Sequence, residues 1–370
     1  SVASFENFAE CPLRYYLRYG VDLKEREEFT FSPVNFGVVL HAVIREVCDE
    51  IKKNGESYYL ISEEKRREMV KRSVAAITDI YQNSILKDSS RNSFMIKRME
   101  DLADRTVWAM GEQLKCGDFV PFVFEHKFNM EVGDGDRKQL MSGTIDRVDI
   151  CENGTDVYVR IIDYKTGKKD FNIVKTYYGI DIQLMVYMEA AMKLVAKMRP
   201  GKNVIPAGVF YYNISDPIVS ATTESAEEIE DKIKGELRLK GMVNSDKDIA
   251  GKMDNTEGTS LNIPVSRKAD GGFDSRRSKV MNTEQFNMLG RFVDVRAIDT
   301  ADRIVGGDIR RSPYKDGQFS SCDRCPYGAV CGFSVDLPGC NYRKLKKFDD
   351  EVLWNNIKEG IDENGKKMDT

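Results

Sequence analysis

Gly143-Thr144-Ile145-Asp146-Arg147-Val148-Asp149, then a polar turn, then Val157-Tyr158-Val159-Arg160-Ile161-Ile162-Asp163-Tyr164-Lys165-Thr166-Gly167, is the stretch whose reading decides the fold. Its two apolar segments have strand length, and Glu152-Asn153-Gly154-Thr155 between them has turn chemistry, so a hairpin is predicted. Residues i and i+2 of a strand share a face. Asp163 and Lys165 therefore point one way and Tyr164 the other. Pairing of the hairpin brings Asp146 beside Asp163. Asp149, three residues beyond Asp146, faces the opposite side of a regular strand, so only one of the two joins a site with Asp163. Two acids and an amine at one spot can hold a divalent metal and position a water; a structural Asp–Lys ion pair on a sheet is the alternative these three residues leave open.

The pattern outward from this hairpin predicts the rest of the sheet. Phe119–Val132, Gln139–Ile150 and Asp156–Tyr164 read as strands of an antiparallel meander, with a first turn at Gly133-Asp134-Gly135-Asp136. Asp181–Lys197 reads as a helix with Gln183 and Tyr187 one turn apart on one face, and Ala207–Ile214 returns as a strand. A strand–helix–strand crossover places its strands parallel. The predicted class is α/β, with a central mixed sheet flanked by helices.

Upstream, residues 4–19 show helical spacing interrupted at Cys11-Pro12, where proline predicts a restart. Gly37–Lys53 is an amphipathic helix carrying His41 beside its apolar stripe. Ser62 caps a helix to about Asn83, and another runs from about Arg91 to Lys115. Downstream, Ser225 to about Gly241 reads as a charged helix. Residues 244–282 read as a long, polar, partly mobile excursion with one hairpin, whose Arg276-Arg277 pair could meet DNA or simply be solvated. Asn282 or Thr283 caps a helix to about Val305, stopped by Gly306-Gly307. The expected organisation is one domain over 1–370: an N-terminal segment (1–36), a helical region (37–118), a sheet-and-helix core (119–215), helices with the polar excursion (216–305) and a cysteine-rich end (306–370).

Composition narrows the classes of function. Of 370 residues 41% are hydrophobic and 31% charged, enough for a large core under a wet surface. With 56 Lys+Arg against 60 Asp+Glu the net charge is −4, so a nucleic-acid site must be a local basic patch, for which Lys168 and Lys169 are candidates. No apolar run reaches membrane-spanning length and no signal peptide is visible, which sets the expectation of a cytoplasmic protein. The first residue is not Met, so a piece of a longer protein is expected. No phosphate-binding loop of the NTPase type is present.

Among eight cysteines, Cys322, Cys325 and Cys331 fall within ten residues, a spacing that wraps one metal or cluster. Cys340 and Cys11 are both candidates for a fourth ligand. Zinc is the default for four thiolates, and an iron–sulfur cluster uses the same ligands. His41 is one of two histidines; a satisfied structural histidine is the plain alternative to a ligand.

Gly143-x-x-Asp146, Asp163-x-Lys165 and Gln183-x-x-x-Tyr187, preceded by a helical His41, resemble in type and order the PD-(D/E)XK nuclease family in its RecB-like branch. The opening Ser1-x-x-Ser4-Phe5-Glu6-x-Phe8-x-x-Cys11-Pro12 and the closing cysteines resemble the nuclease domains of AddB-type helicase–nuclease subunits. The resemblance implies a restriction-endonuclease-like core. It implies Mg²⁺ or Mn²⁺ held by His41, Asp146, Asp163 and the carbonyl of Tyr164, with Lys165 as catalytic lysine and Gln183 and Tyr187 assisting. It also implies that Cys11, not Cys340, joins Cys322, Cys325 and Cys331 around a 4Fe-4S cluster that clips the chain ends together. The function implied is a DNA exonuclease working with a helicase–nuclease partner subunit in double-strand-break repair. Three alternatives remain at this point: a non-catalytic DNA-binding or assembly module of the same fold, a stand-alone CRISPR-associated-type nuclease, and a zinc-ribbon protein. Glu125, on the preceding strand, is left without a role.

Overall fold

Alternation in the sheet strands explains why two helical layers sandwich them. Ile145, Val148, Ile150, Val157, Val159, Ile161, Val209 and Tyr211 are buried on one face, and Tyr158, Ile162, Tyr164, Phe210 and Tyr212 on the other. Each face thus needs its own apolar cover. The computed structural model describes residues 1–24, 33–81, 90–132, 138–220 and 224–368.

In chain order the elements are α1 (Val2–Glu10), α2 (Pro12–Tyr15) running into a wide π-type turn (Tyr16–Gly20), α3 (Pro33–Lys53), α4 (Glu63–Tyr81), α5 (Ser90–Lys115), β1 (Val120–Val132), β2 (Gln139–Asn153), β3 (Asp156–Lys165), α6 (Ile173–Tyr177), α7 (Gln183–Met198), β4 (Asn203–Asn213), α8 (Ala226–Glu236), β5 (Lys240–Asn244), α9 (Lys247–Met253), β6 (Val280–Met281), α10 (Thr283–Val305), β7 (Tyr314–Asp316), β8 (Phe319–Ser320), α11 (Gly328–Cys331), β9 (Arg343–Lys344) and α12 (Asp350–Met368). The main sheet has the order β1-β2-β3-β4-β5-β6. β1–β2–β3 is the antiparallel meander, β3 and β4 are parallel across α7, β4 and β5 are antiparallel, and β5 and β6 are parallel. Helices α3, α4 and α5 cover one face, and α1, α7, α10 and α12 the other.

Cys11 is extended, with φ −165°, and Pro12 starts α2 at a position where no backbone donor is needed, so the predicted restart is seen. Asn282 caps α10 reciprocally with Gln285. Three expectations are corrected. The charged helix after Ser225 ends at Glu236, and Lys240–Asn244 is a strand whose Gly241–Asn244 side is buried. The main sheet is therefore not confined to residues 119–215. The stretch 244–282 is packed rather than loose. Asp254 accepts from Thr256 N, Ser260 Oγ and Asn262 Nδ2, Arg267 donates to the carbonyls of Ala250, Asp254 and Thr256, and Ile263 and Val265 are buried. Apart from β6, which pairs with β5 at its end, its pairing among the described residues consists of isolated bridges at Thr259–Ser266 and Arg267–Phe273. The turn predicted at Gly133–Asp136 and the helix end predicted at Asn83 lie outside the described residues.

The fully buried charges on β2 and β3 are structural. Arg147 donates two hydrogen bonds of 2.7 Å to Asp149, and Arg160 Nε donates a third of 2.8 Å to Asp149 Oδ2. The Arg160 guanidinium also lies 4.9 Å from the Phe119 ring centre. Burial alone pushes the Asp149 carboxyl upward, but the two guanidiniums outweigh it and hold it below its ordinary range.

Candidate active site

Register places the two acids. β2 pairs with β3 up to Arg147 opposite Ile162, so the next step brings Asp146 level with Asp163. There Asp146 Oδ2 accepts the Tyr164 backbone N–H at 2.6 Å, a side chain taking a bond that a strand would otherwise supply. Ile145 and Val148 are buried on the same face although three apart, so Asp146 and Arg147 absorb a break in the alternation of β2. Asp149 is left on the opposite face, within its arginine pair.

Gly143 has a steric reason. A Cβ there would stand 2.9 Å from the rings of Phe128 and Tyr187, closer than packed atoms tolerate. Its absence lets Tyr187 of α7 lie against β2, edge-on to Phe128 at 5.5 Å.

Two sets of groups meet at this strand end. In the first, His41 Nδ1 of α3 lies 3.4 Å from Asp146 Oδ1 and 3.8 Å from Glu125 Oε1. Among the described residues, His41, Glu125 and Asp146 form the group whose possible ligand atoms all lie within 4.8 Å of one another. Burial opposes charge on His41, but Asp146 and Glu125 together outweigh it and raise the imidazole to about 10. The excess negative charge that retains a proton on His41 is equally an attraction for a cation. Glu125 itself has φ 47°, a left-handed conformation that is costly outside glycine and concentrates at functional sites.

The second set is a relay. Lys165 Nζ lies 2.5 Å from Asp163 Oδ2 and donates to Gln183 Oε1 at 3.0 Å, and Gln183 Nε2 donates to Tyr187 OH at 2.9 Å. Asp163 is 2% exposed. Burial first, and the nearby Asp146 carboxylate second, raise its carboxyl to about 7 despite Lys165. Asp163 is not a member of the close His41–Glu125–Asp146 group. Lys169 is turned inward, 3.0 Å from Asp181 Oδ1 and 4.5 Å from the Tyr211 ring centre, and so is not a free phosphate contact. Lys168, Arg276 and Arg277 are exposed.

The PD-(D/E)XK nuclease superfamily model matches residues 1–332. The chain belongs to that superfamily. It is 33% identical over 380 aligned residues to an ATP-dependent helicase/deoxyribonuclease subunit of Thermoanaerobacter sp. (strain X514), covering 100% of this chain and 33% of that protein. The proteins of the same name from Caldanaerobacter subterraneus subsp. tengcongensis and Clostridium acetobutylicum are each 34% identical, over 380 and 375 residues, covering 100% and 99% of this chain and 32% of each relative. The chain thus spans about a third of the length of these curated relatives.

The superfamily match begins ahead of Cys11 and ends one residue after Cys331. Cys11, Cys322, Cys325 and Cys331 line one small cavity with Leu17, Arg311 and Phe333. Cys340 is buried but is not among the residues lining it. No three of the four sulfurs fall within the 4.8 Å spacing that His41, Glu125 and Asp146 satisfy.

Hydrogen bonds join the chain ends around this cavity. Arg343 Nη2 donates to the carbonyls of Ala9 and Glu10, Ser321 Oγ donates to the Glu10 carbonyl, Leu13 N donates to the Arg310 carbonyl, and Tyr327 OH donates to the Leu23 carbonyl. Arg343 was not singled out from sequence, and Glu6 was quoted only within the opening motif, with no role. Their partners lie far away along the chain, and an arginine or a glutamate in a polar segment carries no local signal of them. Among the described residues no helix is long and apolar enough to cross a membrane.

Proposed function

We propose that this chain is the nuclease part of a helicase–nuclease: a Mg²⁺- or Mn²⁺-dependent exonuclease that hydrolyses phosphodiester bonds in a DNA strand delivered by a partner helicase–nuclease subunit, in the cytoplasm, during double-strand-break repair by recombination. The observation that carries this reading is the meeting of the His41–Glu125–Asp146 group with the Asp163–Lys165–Gln183–Tyr187 relay at one strand end.

His41, Asp146 and Asp163, with the carbonyl of Tyr164, are the proposed ligands of the divalent cation. Glu125 adds an oxygen donor of the kind hard cations prefer. The cation, when bound, supplies charge neutralisation at the phosphate and lowers the pKa of the attacking water. The chain's own residues do the rest. Lys165, fixed between Asp163 and Gln183, aims an ammonium at the negative charge that grows during phosphodiester cleavage. Tyr187 holds the Gln183 amide so that its oxygen, not its nitrogen, faces Lys165. Asp163 and Asp146 are nearly dry, which strengthens every charge interaction at the site.

The four thiols fit a 4Fe-4S cluster as proposed ligands. In this reading it serves as a clip on the chain ends.

Cleavage of labelled DNA by Asp163→Ala tests the catalytic assignment. The variant should bind DNA like the parent and lose cleavage; full cleavage would refute it, and cleavage absent from the parent under all metal conditions would favour a binding module.

A further inference from the structure

Helix α7 has no side-chain cap of its own. Its N-cap residue is Ile182, and the first residue of the helix is Gln183. The missing acceptor arrives from the other end of the domain. Glu6 Oε1, on α1, accepts from Ile182 N at 2.9 Å and from Gln183 N at 3.0 Å. A carboxylate at a helix N-terminus both satisfies orphan donors and complements the helix dipole.

The capped residue is the one whose side chain accepts from Lys165 and donates to Tyr187. Glu6 therefore sits two bonded steps from the ammonium without touching it. Glu6 is held in turn by its own helix. Phe5 and Val2 pack in the core with α7, the carbonyls of Ala9 and Glu10 take Arg343, and Cys11 follows directly. Next to this contact, Asp181 accepts from Tyr211 OH at 2.7 Å and Thr176 Oγ1 donates to the Asp181 carbonyl at 2.8 Å, so the approach to α7 is fixed on its other side as well.

We propose that Glu6 is a positioning residue for the nuclease site: by capping α7 from α1 it sets the Gln183 amide and through it Lys165, so that the packing of the joined chain ends is transmitted to the reacting lysine. This rests on the nuclease reading above, and the test separates the two.

The experiment uses the full chain with its metal and labelled DNA, and compares Glu6→Gln with Glu6→Ala. Glutamine keeps an oxygen able to accept both amides, so Glu6→Gln should retain kcat within about twofold, while Glu6→Ala should lower kcat about 10- to 100-fold with KM for DNA nearly unchanged, the size expected when a reacting group is misplaced. Amide hydrogen exchange at Ile182 and Gln183 should accelerate in Glu6→Ala and stay slow in Glu6→Gln, a readout that needs no activity. Glu6→Ala combined with Gln183→Ala should be no slower than Gln183→Ala alone, because one acts through the other.

The inference is overturned if Glu6→Ala cleaves like the parent, if its effect falls on KM, or if Glu6→Gln fails as badly as Glu6→Ala. If Glu6→Ala does not fold, Glu6→Gln alone decides: loss of kcat or fast exchange at 182–183 overturns the inference. An active Asp163→Ala protein overturns the nuclease reading itself, whatever Glu6 does; an inactive Asp163→Ala beside a fully active Glu6→Ala overturns only the role of Glu6.

Discussion

Asp149→Asn separates the structural aspartate of β2 from the functional one three residues earlier. The change keeps the shape of the side chain. One acceptor oxygen becomes an NH₂ donor, while Arg147 presents two donors at 2.7 Å and Arg160 a third at 2.8 Å. If the new NH₂ takes the Oδ2 position, two charge-assisted hydrogen bonds are lost, each worth about 1.5–3 kcal/mol. The buried charge also rises from one uncompensated guanidinium to two. Breaking a buried pair in this way costs about 3–5 kcal/mol, so a central value is about 4 kcal/mol. With an unfolding entropy of about 2.1 cal/mol/K per residue over the chain, that amounts to a fall in Tm of about 5 °C.

Acid should imitate the substitution. The two arginines depress the Asp149 pKa, so its stabilisation is full above the unfolded value of about 3.9 and is lost as pH falls through the folded value. The assay is calorimetric or urea unfolding beside DNA cleavage well below Tm. Asp149→Asn should lower stability and leave cleavage near the parent rate, because its carboxylate faces away from His41 and Asp163. An unchanged Tm, or a loss of cleavage with stability intact, would refute the division of roles between Asp146 and Asp149.

The other predictions concern the site and the clip. Protonation of Asp163, whose pKa is raised to about 7, contributes stability that is full below its unfolded pKa of about 3.9 and is lost as pH rises through about 7. In metal-free protein, Asp163→Asn should therefore gain Tm relative to the parent between pH 5 and pH 8, and Mg²⁺ or Mn²⁺ should raise the parent Tm more at pH 8 than at pH 6; a pH-independent difference would contradict the assignment. Cys11→Ala should lose bound iron and about 3–6 kcal/mol of stability, since the link from Cys11 to Cys322 spans 322 − 11 = 311 residues, whereas Cys340→Ala should keep its iron. Full iron content in Cys11→Ala would exclude that residue as a ligand. Gly143→Ala would put a Cβ 2.9 Å from the Phe128 and Tyr187 rings and force them to shift, costing about 1–3 kcal/mol and slowing cleavage; an unaltered rate and Tm would show that the rings move freely.

Sequence periodicity exposes what is local. Asp163 and Lys165 are visible together because two residues make one strand period, and Asp146 joins them because hairpin register is arithmetic. Gln183 and Tyr187 are visible because four residues make one helical turn. Glu125 was noticed on its strand but its role stayed open, since its place beside His41 depends on a positive φ that no neighbouring residue signals. The capping role of Glu6, named only as part of the opening motif, was hidden for a different reason: its partners are amides 176 and 177 positions away, and a backbone donor has no sequence signature. The stretch after β5 was misjudged because its order rests on Asp254 and Arg267 gathering backbone and polar groups, where hydrophobic patterning is silent.

The junction of the chain ends uses two fastenings of unlike chemistry. The four thiols are open to oxidation and depend on what they bind. Arg343, reaching the last carbonyls of α1, is indifferent to redox state and keeps its charge at any physiological pH. Damage to the first leaves the second in place. The junction can therefore loosen at the thiols while Arg343 still holds the last carbonyls of α1, so that the two ends have separate points of failure.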